Sequence, residues 1–276
     1  MRLIERAFLT EESGTSRLVI GDRELLEWAL QSGINPRTAQ IKALEAGIVP
    51  LRYLKNFDAI NLGEQTRICR SAVLICGCGG LGGVLINLLA RVGVGFLRLV
   101  DGDAFAPSNL NRQWFCDTQR LSQPKALVGE QQVRVINPLI EVEAFPEILD
   151  ESNADDLLRG MSLVLDALDN LPGRFLLAGA ARRLEIPFIH GAATGWWGQV
   201  STFMPGALHD LSAIYGTRKS RDAAEIAVGV LGPAPSVIAS LQAFEAIRLL
   251  SGRNPAYAER LLFFDGESGV MELMPL

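Results

Sequence analysis

Cysteine and histidine are scarce in this chain of 276 residues, which has four cysteines and two histidines. No C-x-x-C pair occurs, and no cysteine follows Cys116. Thiols at these spacings do not indicate a disulfide framework. With only His190 and His209 to add, the usual ligands of a tetrahedral structural zinc site cannot be assembled. The sequence therefore predicts a reducing, cytoplasmic setting and no bound zinc.

Positive charge and long apolar runs are also lacking. Lysine and arginine number 26 against 31 acidic residues, so the formal net charge is −5. An acidic chain has no general electrostatic footprint for nucleic acid. No apolar stretch approaches the roughly 18 residues that a membrane span needs, and the acidic N-terminus is not typical of a signal peptide. We therefore expect neither a nucleic-acid nor a membrane partner.

The chain divides by pattern into two parts. Residues 1–60 predict two short helices, over about 22–33 and 35–47, without an obvious core of their own. We interpret residues 1–60 as a small helical N-terminal extension that packs on the main domain or on a second subunit. Residues 61–276 form the main domain.

Strand and helix patterns alternate from Ala72 onward. Continuous apolar and β-branched runs predict strands that are buried on both faces. These strands lie at residues 71–76, 95–101, 140–145, 162–168 and 186–190, with helices between them at 84–93, 123–136, 151–160 and 171–184. Ser122 is the predicted cap of the second of these helices. Repeated units of this size predict an α/β fold with a doubly wound, Rossmann-like sheet of parallel strands.

The pattern changes again after His190. Residues 198–205 predict a strand with polar alternation, and residues 205–228 predict a loop. A long helix then ends at Gly252, and residues 260–276 predict a hairpin. The parallel strands are thus followed by antiparallel strands at the C-terminus.

The turn after the first parallel strand is rich in glycine. Gly77, Gly79, Gly80 and Gly82 lie in this turn, and three of them fit G-x-G-x-x-G between a strand and a helix. Glycine allows a tight turn and lets a phosphate approach the helix N-terminus. Asp101 ends the next strand, 24 residues after Gly77, where a carboxylate can accept hydrogen bonds from ribose hydroxyls. The pattern predicts nucleotide binding, and at this point a nicotinamide dehydrogenase remains possible.

Charged and amide side chains follow the carboxyl ends of the predicted strands, where parallel sheets bind ligands. Arginine and lysine offset the charge of phosphoryl oxygens and a carboxylate holds Mg²⁺, as a triphosphate site requires. The candidates are Asp103, Asn109, Arg112, Gln113, Lys125 and Asp169. Among them, Asp103 is the residue that a purely structural role explains most readily.

The sequence around these candidates resembles the MoeB, ThiF and HesA branch of the ubiquitin-activating-enzyme superfamily. The resemblance covers roughly residues 50–275, and S-N-L-N-R-Q followed by Q-P-K is its most specific part. The matching blocks are RYLKNFDAINLGEQ (52–65), SAVLICGCGGLGG (71–83), LVDGDAFAPSNLNRQ (99–113), QPKA (123–126), LVLDALDN (163–170), GAATGWWGQV (191–200) and GVLGPAPSVIASLQAFEAIRLLSG (229–252).

The resemblance implies ATP-dependent adenylation of a carboxylate, with pyrophosphate released. In this family the substrate is usually the C-terminal glycine of a small ubiquitin-like sulfur carrier that ends in Gly-Gly. Residues 61–276 are then an ATP-binding adenylation domain with a crossover loop at about 205–228. Carried over by position, Gly79 and Gly82 contact phosphates, Asp101 binds the ribose, Asn109, Arg112, Gln113 and Lys125 surround the phosphates, and Asp169 helps to place Mg²⁺.

One departure from the family pattern concerns its opening motif, R-Y-x-R-Q. Here the second arginine is replaced by Lys55. In the family this arginine reaches the ATP of the partner subunit, so we expect a homodimer in which Lys55 acts in trans. A lysine delivers the charge but not the bidentate geometry of a guanidinium.

A second departure is that the crossover loop has no cysteine. We therefore expect the reaction to stop at the acyl-adenylate, with sulfur delivered by a separate donor protein. Arg218, Lys219 and Arg221 either guide the partner's tail or form a solvated basic loop. Trp196 and Trp197 either line a channel for that tail or pack against the crossover helix.

Two other functions remain open from the sequence. One is adenylation of a different carboxylate, on a peptide or a small molecule. The other is a non-catalytic, nucleotide-binding scaffold, although such subunits usually lose the charged positions that Arg112, Lys125 and Asp169 occupy here. The block N-R-Q followed by Q-P-K has no role in hydride transfer, which disfavours the dehydrogenase.

Overall fold

The computed structural model describes residues 2–12, 14–218, 220 and 228–276. Lys219 and Arg221, two of the three basic residues considered as guides for a partner's tail, lie outside these ranges. Within the described ranges, no helix has both the length and the apolar character needed to cross a membrane.

The N-terminal extension contains strands as well as the two predicted helices. Strands β1 (Phe8–Glu12) and β2 (Thr15–Ile20) pair antiparallel, and β2 pairs in parallel with the short β3 (Val49–Pro50). Helices α1 (Asp22–Ser32) and α2 (Pro36–Glu45) lie between β2 and β3. The predicted helical extension thus contains both expected helices and, in addition, three strands that were not predicted. Most residues of β1 are exposed, so no apolar alternation marks it in the sequence.

The extension packs on the main domain of its own chain. Side chains of β2, α1 and α2 form one apolar cluster with Leu139, which follows the helix at 125–136. Buried Gln40 donates from Nε2 to the Leu139 carbonyl oxygen at 2.8 Å. Arg37 NH1 lies 3.2 Å from a carboxylate oxygen of Glu141 in the main sheet. The apolar faces of α1 and α2 therefore need no second subunit to be buried.

The remaining elements form the main domain. A short 3₁₀ helix at Leu51–Asn56 and helix α3 (Leu62–Arg70) connect it to the extension. The elements that follow are β4 (Ala72–Cys76), α4 (Gly80–Val92), β5 (Phe96–Val100), α5 (Lys125–Ile136), β6 (Glu141–Phe145), α6 (Ala154–Leu158), β7 (Leu163–Asp166), α7 (Leu171–Arg183), β8 (Phe188–Thr194), β9 (Trp197–Phe203), α8 (Ser212–Tyr215), α9 (Pro233–Ser251), β10 (Arg260–Asp265) and β11 (Val270–Pro275).

Eight strands of the described chain form one sheet in the order β11-β10-β9-β8-β7-β4-β5-β6. The strands from β8 to β6 are parallel to one another. Strands β9, β10 and β11 continue the sheet in antiparallel fashion. The predicted doubly wound sheet with antiparallel C-terminal strands is thus confirmed.

Strand β4 shows why the sheet is wound on both faces. Val73 and Ile75 belong to the apolar cluster that includes residues of α4 and α9. Leu74 and Cys76 belong to the opposite cluster, which includes residues of α6 and α7. Each fully buried aliphatic side chain of this kind stabilises the fold by about 1.5–3 kcal/mol. The apolar run of β4 therefore fixes a central strand with helices on both sides.

Helix α5 starts differently from its predicted start. Ser122 has a positive φ of 66°, so its backbone belongs to a turn rather than to a helix cap. Pro124 is the N-cap, and the first helical residue is Lys125. Lys125 therefore lies in the first turn of α5, near the carboxyl ends of the strands.

Candidate active site

A cavity of about 690 Å³ opens at the carboxyl ends of β4, β5 and β7. Its volume is in the range of small-molecule sites. Most of the predicted site residues line it, namely Gly77, Gly79, Gly80, Asp101, Asp103, Arg112, Gln113, Lys125 and Asp169. Three predicted site residues, Gly82, Asn109 and Lys55, are not part of this lining.

The glycines of the turn have separate roles. Gly77 has a φ of 97°, and a Cβ there would lie 2.4 Å from the Ala167 carbonyl oxygen. A Cβ on Gly82 would lie 1.8 Å from the Gly77 carbonyl oxygen. Gly82 thus lets α4 pack against the turn. Its expected phosphate contact stays a prediction. Gly79, the N-cap of α4, and Gly80, its first residue, line the cavity together with Gly77.

Asp101 holds the glycine turn against the end of β5. One of its carboxylate oxygens accepts from the Cys78 amide at 2.6 Å, and the other accepts from the Asp103 amide at 2.8 Å. Burial raises the pKa of Asp101, while these amides and Lys125 oppose the shift. Burial also raises the pKa of the Cys78 thiol, which is therefore an unreactive filler of the turn.

Lys125 is a nearly buried cation at the cavity. Its side chain is 8% exposed, and its Nζ lies 2.8 Å from Oδ2 of Asp103, whose side chain is 68% exposed. Asp103 is thus the ion-pair partner of Lys125. An ammonium group at such a cavity has the charge and the donors to bind phosphoryl oxygens.

Arg112 and Gln113, in the loop that follows β5, also line the cavity. Arg112 NH1 donates to the Ser108 carbonyl oxygen at 2.8 Å and to Asn111 Oδ1 at 2.9 Å. Gln113 is nearly buried, and among the described residues its Oε1 has no hydrogen-bond partner. A buried acceptor without a partner carries a desolvation cost that a bound donor group would relieve.

Asn109 shapes this loop instead of lining the cavity. Its side chain is nearly buried, and its Oδ1 accepts from the Ala106 amide at 2.9 Å. Asn109 therefore stabilises the turn, and its expected contact with phosphates stays a prediction. A local sequence pattern cannot separate the two roles, because an asparagine after a strand suits both.

Asp169 lies at the rim of the cavity, just before α7. Its neighbour Asn170 caps that helix by accepting from the Gly173 amide at 2.9 Å. Asn170 Nδ2 also lies 3.3 Å from Oδ1 of Asp169. The described residues include no group of three metal-ligating side chains. Mg²⁺ at nucleotide sites takes one or two carboxylates and otherwise water and phosphate oxygens, so a single Asp169 fits its requirements.

Arg174 is a cavity residue that the sequence did not indicate. It is only 2% exposed, although it is an arginine in the second turn of α7. Its guanidinium donates to the Leu168 carbonyl oxygen and, at 3.1 Å, to the Tyr215 hydroxyl. A single arginine in a helical pattern is more typical of a solvated face. Only the packing of α7 on β7 identifies this one.

The remaining predicted residues lie elsewhere. Lys55 is 82% exposed and forms an ion pair with Glu12 of β1. Trp197 packs its ring 6.0 Å from that of Phe263 in β10, and Trp196 is 52% exposed. The lining of the cavity includes neither tryptophan. The two alternatives for the tryptophans, a channel for a partner's tail or packing against the crossover helix, stay predictions.

Residues 52–276 match the ThiF family. The chain is 38% identical over 208 residues to the sulfur carrier protein adenylyltransferase of Thermus thermophilus, covering 73% of this chain and 77% of that protein. It is 36% identical over 227 residues to the SAMP-activating enzyme E1 of Haloferax volcanii, covering 81% of this chain and 84% of that protein. Adenylyltransferase and sulfurtransferase MOCS3 of Mus musculus is 35% identical over 227 residues, 79% of this chain, which spans about half (48%) of that relative.

Solved structures share the architecture at low sequence identity. The chain resembles E. coli MccB with a TM-score of 0.71 and 15% identity, covering 99% of this chain and 92% of that one. A complex of E. coli MccB with MccA-N7isoASN gives a TM-score of 0.72 and 17% identity, covering 82% of this chain and 71% of that one. At this identity the likeness establishes the fold alone.

Proposed function

Because the chain belongs to the ThiF family, we propose that it is an ATP-dependent adenylyltransferase. Its proposed substrate is the C-terminal glycine carboxylate of a ubiquitin-like sulfur-carrier protein that ends in Gly-Gly. The relatives named as a sulfur carrier protein adenylyltransferase and a SAMP-activating enzyme E1 support this choice. The observation that carries the proposal is the gathering of Lys125, Arg112 and Asp169 with the glycine turn around one cavity.

The proposed reaction forms a bond between a carboxylate oxygen of the substrate and the α-phosphorus of ATP. The bond from that phosphorus to the pyrophosphate leaving group breaks, and the product is an acyl-adenylate. A C-terminal carboxyl group is already ionised at about pH 7, so no general base is needed. Catalysis then consists of positioning the two reactants and stabilising the developing charge.

The residues of the cavity fit those tasks. Gly79 and Gly80 let the phosphates approach the N-terminus of α4. Lys125 and Arg112 place positive charge where the leaving pyrophosphate gains negative charge. Asp101 is the acceptor for the ribose. Asp169 would hold Mg²⁺, which when bound would offset further charge on the phosphates.

ATP–pyrophosphate exchange tests the proposal. The purified chain is incubated with ATP, Mg²⁺ and labelled pyrophosphate, and a candidate carrier is added. We expect exchange only with a carrier that ends in an intact Gly-Gly. The control is the same carrier without its last glycine. Exchange that proceeds equally with the truncated carrier, or no exchange with any Gly-Gly carrier, would contradict the proposal.

We further propose a homodimer in which Lys55 reaches the nucleotide of the partner subunit. Lys55 does not line the cavity of its own subunit and is highly exposed, which suits a role in trans. Apolar side chains at the surface favour association: Trp114 is 55% exposed and donates to Ser236 of α9, and Phe244, two turns along that helix, is 65% exposed.

Sulfur transfer and location complete the proposal. The crossover loop has no cysteine, so a separate donor protein would supply sulfur to the acyl-adenylate. The four cysteines are free thiols within the fold. Free thiols are typical of proteins in a reducing compartment. We therefore propose that the enzyme works in the cytoplasm.

A further inference from the structure

A cluster of five polar side chains lies beneath the candidate cavity. Each member comes from a different element: Asp166 ends β7, Arg174 lies in α7, His190 in β8, Gln199 in β9 and Tyr215 at the end of α8. Asp166 and His190 are fully buried, and Arg174 is 2% exposed. Only Arg174 among the five lines the cavity itself.

The hydrogen bonds of the cluster favour one tautomer of His190. The Tyr215 hydroxyl oxygen accepts from Arg174 NH1 at 3.1 Å and from Gln199 Nε2 at 2.9 Å. Its own proton then points to His190 Nε2 at 3.0 Å. His190 Nε2, which also lies 3.4 Å from Gln199 Nε2, is then an acceptor, and a neutral His190 donates its Nδ1 proton to Asp166 Oδ2 at 2.7 Å. Burial lowers the pKa of His190, which agrees with this tautomer.

The same cluster holds the turn that carries Asp169. Leu168 immediately precedes Asp169, and its amide donates to Asp166 Oδ1 at 3.0 Å. The carbonyl oxygen of Leu168 accepts from Arg174 NH2. Both backbone polar groups of Leu168 are thus fixed by the two buried charges that Tyr215 and His190 organise.

Tyr215 is the member that comes from the crossover segment. Its ring packs edge-on against His190 at 5.5 Å and against Phe175 of α7 at 6.4 Å. Helix α8 has only four residues, too few to be stable without tertiary contacts. The Tyr215 hydroxyl therefore connects α8 to Arg174 and His190 beneath the cavity.

We propose that Tyr215 is a positioning residue that couples the crossover segment to the Asp169 turn. The inference rests on the proposed function, in which Asp169 holds Mg²⁺ with ATP. With the hydroxyl in place, Arg174 holds the carbonyl oxygen of Leu168, and Asp166, which His190 fixes, holds its amide. The backbone that presents Asp169 is held in this way. Displacement of α8 withdraws the acceptor of Arg174 and loosens that turn. The position of α8 and the Mg²⁺ dependence of ATP binding are thereby linked.

The variant Tyr215→Phe tests the coupling because it keeps the ring and removes only the hydroxyl. Calorimetry measures the Kd of ATP at saturating Mg²⁺, at limiting Mg²⁺ and with a chelator. We expect the Mg²⁺ concentration that gives half-maximal ATP binding to rise about fivefold, which corresponds to the free energy of one hydrogen bond. The Kd of ATP with the chelator should stay unchanged. Gln199→Met, which removes one donor to the same hydroxyl, should shift the Mg²⁺ requirement in the same direction by less.

Tyr53→Phe is the matched control. The Tyr53 hydroxyl is also buried and bonded to two side chains, Gln40 and Asn137, each at 2.8 Å, but in the N-terminal part of the fold. We expect a similar small loss in unfolding temperature and no change in Mg²⁺ requirement. An unchanged Mg²⁺ requirement in Tyr215→Phe would overturn the role of Tyr215. Equal weakening of ATP with and without Mg²⁺, or the same shift in Tyr53→Phe, would overturn it as well. Absence of ATP binding by the unaltered chain would instead overturn the proposed function.

Discussion

Lys125 is held by Asp103 at two points. Its Nζ lies 2.8 Å from the Asp103 carboxylate, and its backbone amide donates to the Asp103 carbonyl oxygen at 2.9 Å. The first contact balances a nearly buried charge, and the second fixes the start of α5. The Lys125 ammonium is therefore already held at the cavity wall in the absence of a nucleotide.

Loss of either cavity cation should slow adenylation. We expect Lys125→Ala and Arg112→Ala each to reduce ATP–pyrophosphate exchange by about 10²-fold or more, the cost of one preorganised charge contact in a transition state. Arg134→Ala is the control, because Arg134 lies on the same helix as Lys125 and pairs only with Glu130 at the surface in the described contacts. Normal exchange in either cavity variant would show that the site is misplaced.

Removing the carboxylate of Asp103 should slow ATP–pyrophosphate exchange much less than removing Lys125, the residue it pairs with. In Asp103→Asn the backbone bond to Lys125 remains, and only a contact to a mostly exposed carboxylate is lost. Because the Asp103 side of the pair is exposed, water can replace the carboxylate beside Lys125, and its loss should cost about 1 kcal/mol, or about fivefold in rate. We expect exchange to fall by no more than that factor. A loss as large as that of Lys125→Ala would mean that Asp103 takes part in the reaction directly.

The ion pair between Glu64 and Arg253 should make stability depend on acid pH. Hydrogen bonds from Arg253 lower the pKa of Glu64 to about 2. A carboxyl whose pKa is lower in the folded state stabilises the fold above its ordinary pKa, and that contribution is lost as the pH falls toward about 2.

Thermal unfolding between neutral and acid pH checks this expectation. Glu64→Gln should be less stable than the unaltered chain at neutral pH, and the difference should shrink steadily as the pH falls. Arg253→Met, which removes the partner, should show the same convergence. A constant difference across the whole pH range would mean that the effect is packing rather than ionisation.

Zinc should be absent from the purified protein. The chain has no C-x-x-C pair and only two histidines, so the usual tetrahedral ligand sets cannot be formed. Elemental analysis of protein purified without chelators should find far less than one zinc per chain. Stoichiometric zinc that survives dialysis would show that other ligands hold it.

Mixed dimers test whether Lys55 acts in trans. Subunits with Lys55→Ala are mixed with subunits with Arg112→Ala, each nearly inactive alone. If Lys55 serves the partner, one site of a mixed dimer carries both lesions and the other carries none. Activity should then return to about half of the wild-type value per mixed dimer. No recovery on mixing, or a monomer in solution, would contradict the proposal.

Local sequence determined the main sheet and the edge at which the site lies. The apolar runs of β4 and β7 predict strands buried on both faces. The glycine spacing after β4 and the polar residues after β5 then follow from the rule that parallel strands bind ligands at their carboxyl ends. These features depend on neighbours in the chain, so periodicity and turn chemistry reveal them.

Tertiary structure alone decided the rest. Strand β1 exists because β2 pairs with it, since its own side chains are mostly exposed. Asn109 turned out to hold a loop, and the buried arginine of α7 meets Tyr215 across 41 positions of the chain. The burial of a charge and the partner that compensates it are long-range properties, set by the packing of whole elements. A local pattern does not carry that information, because the same residues suit a solvated surface equally well.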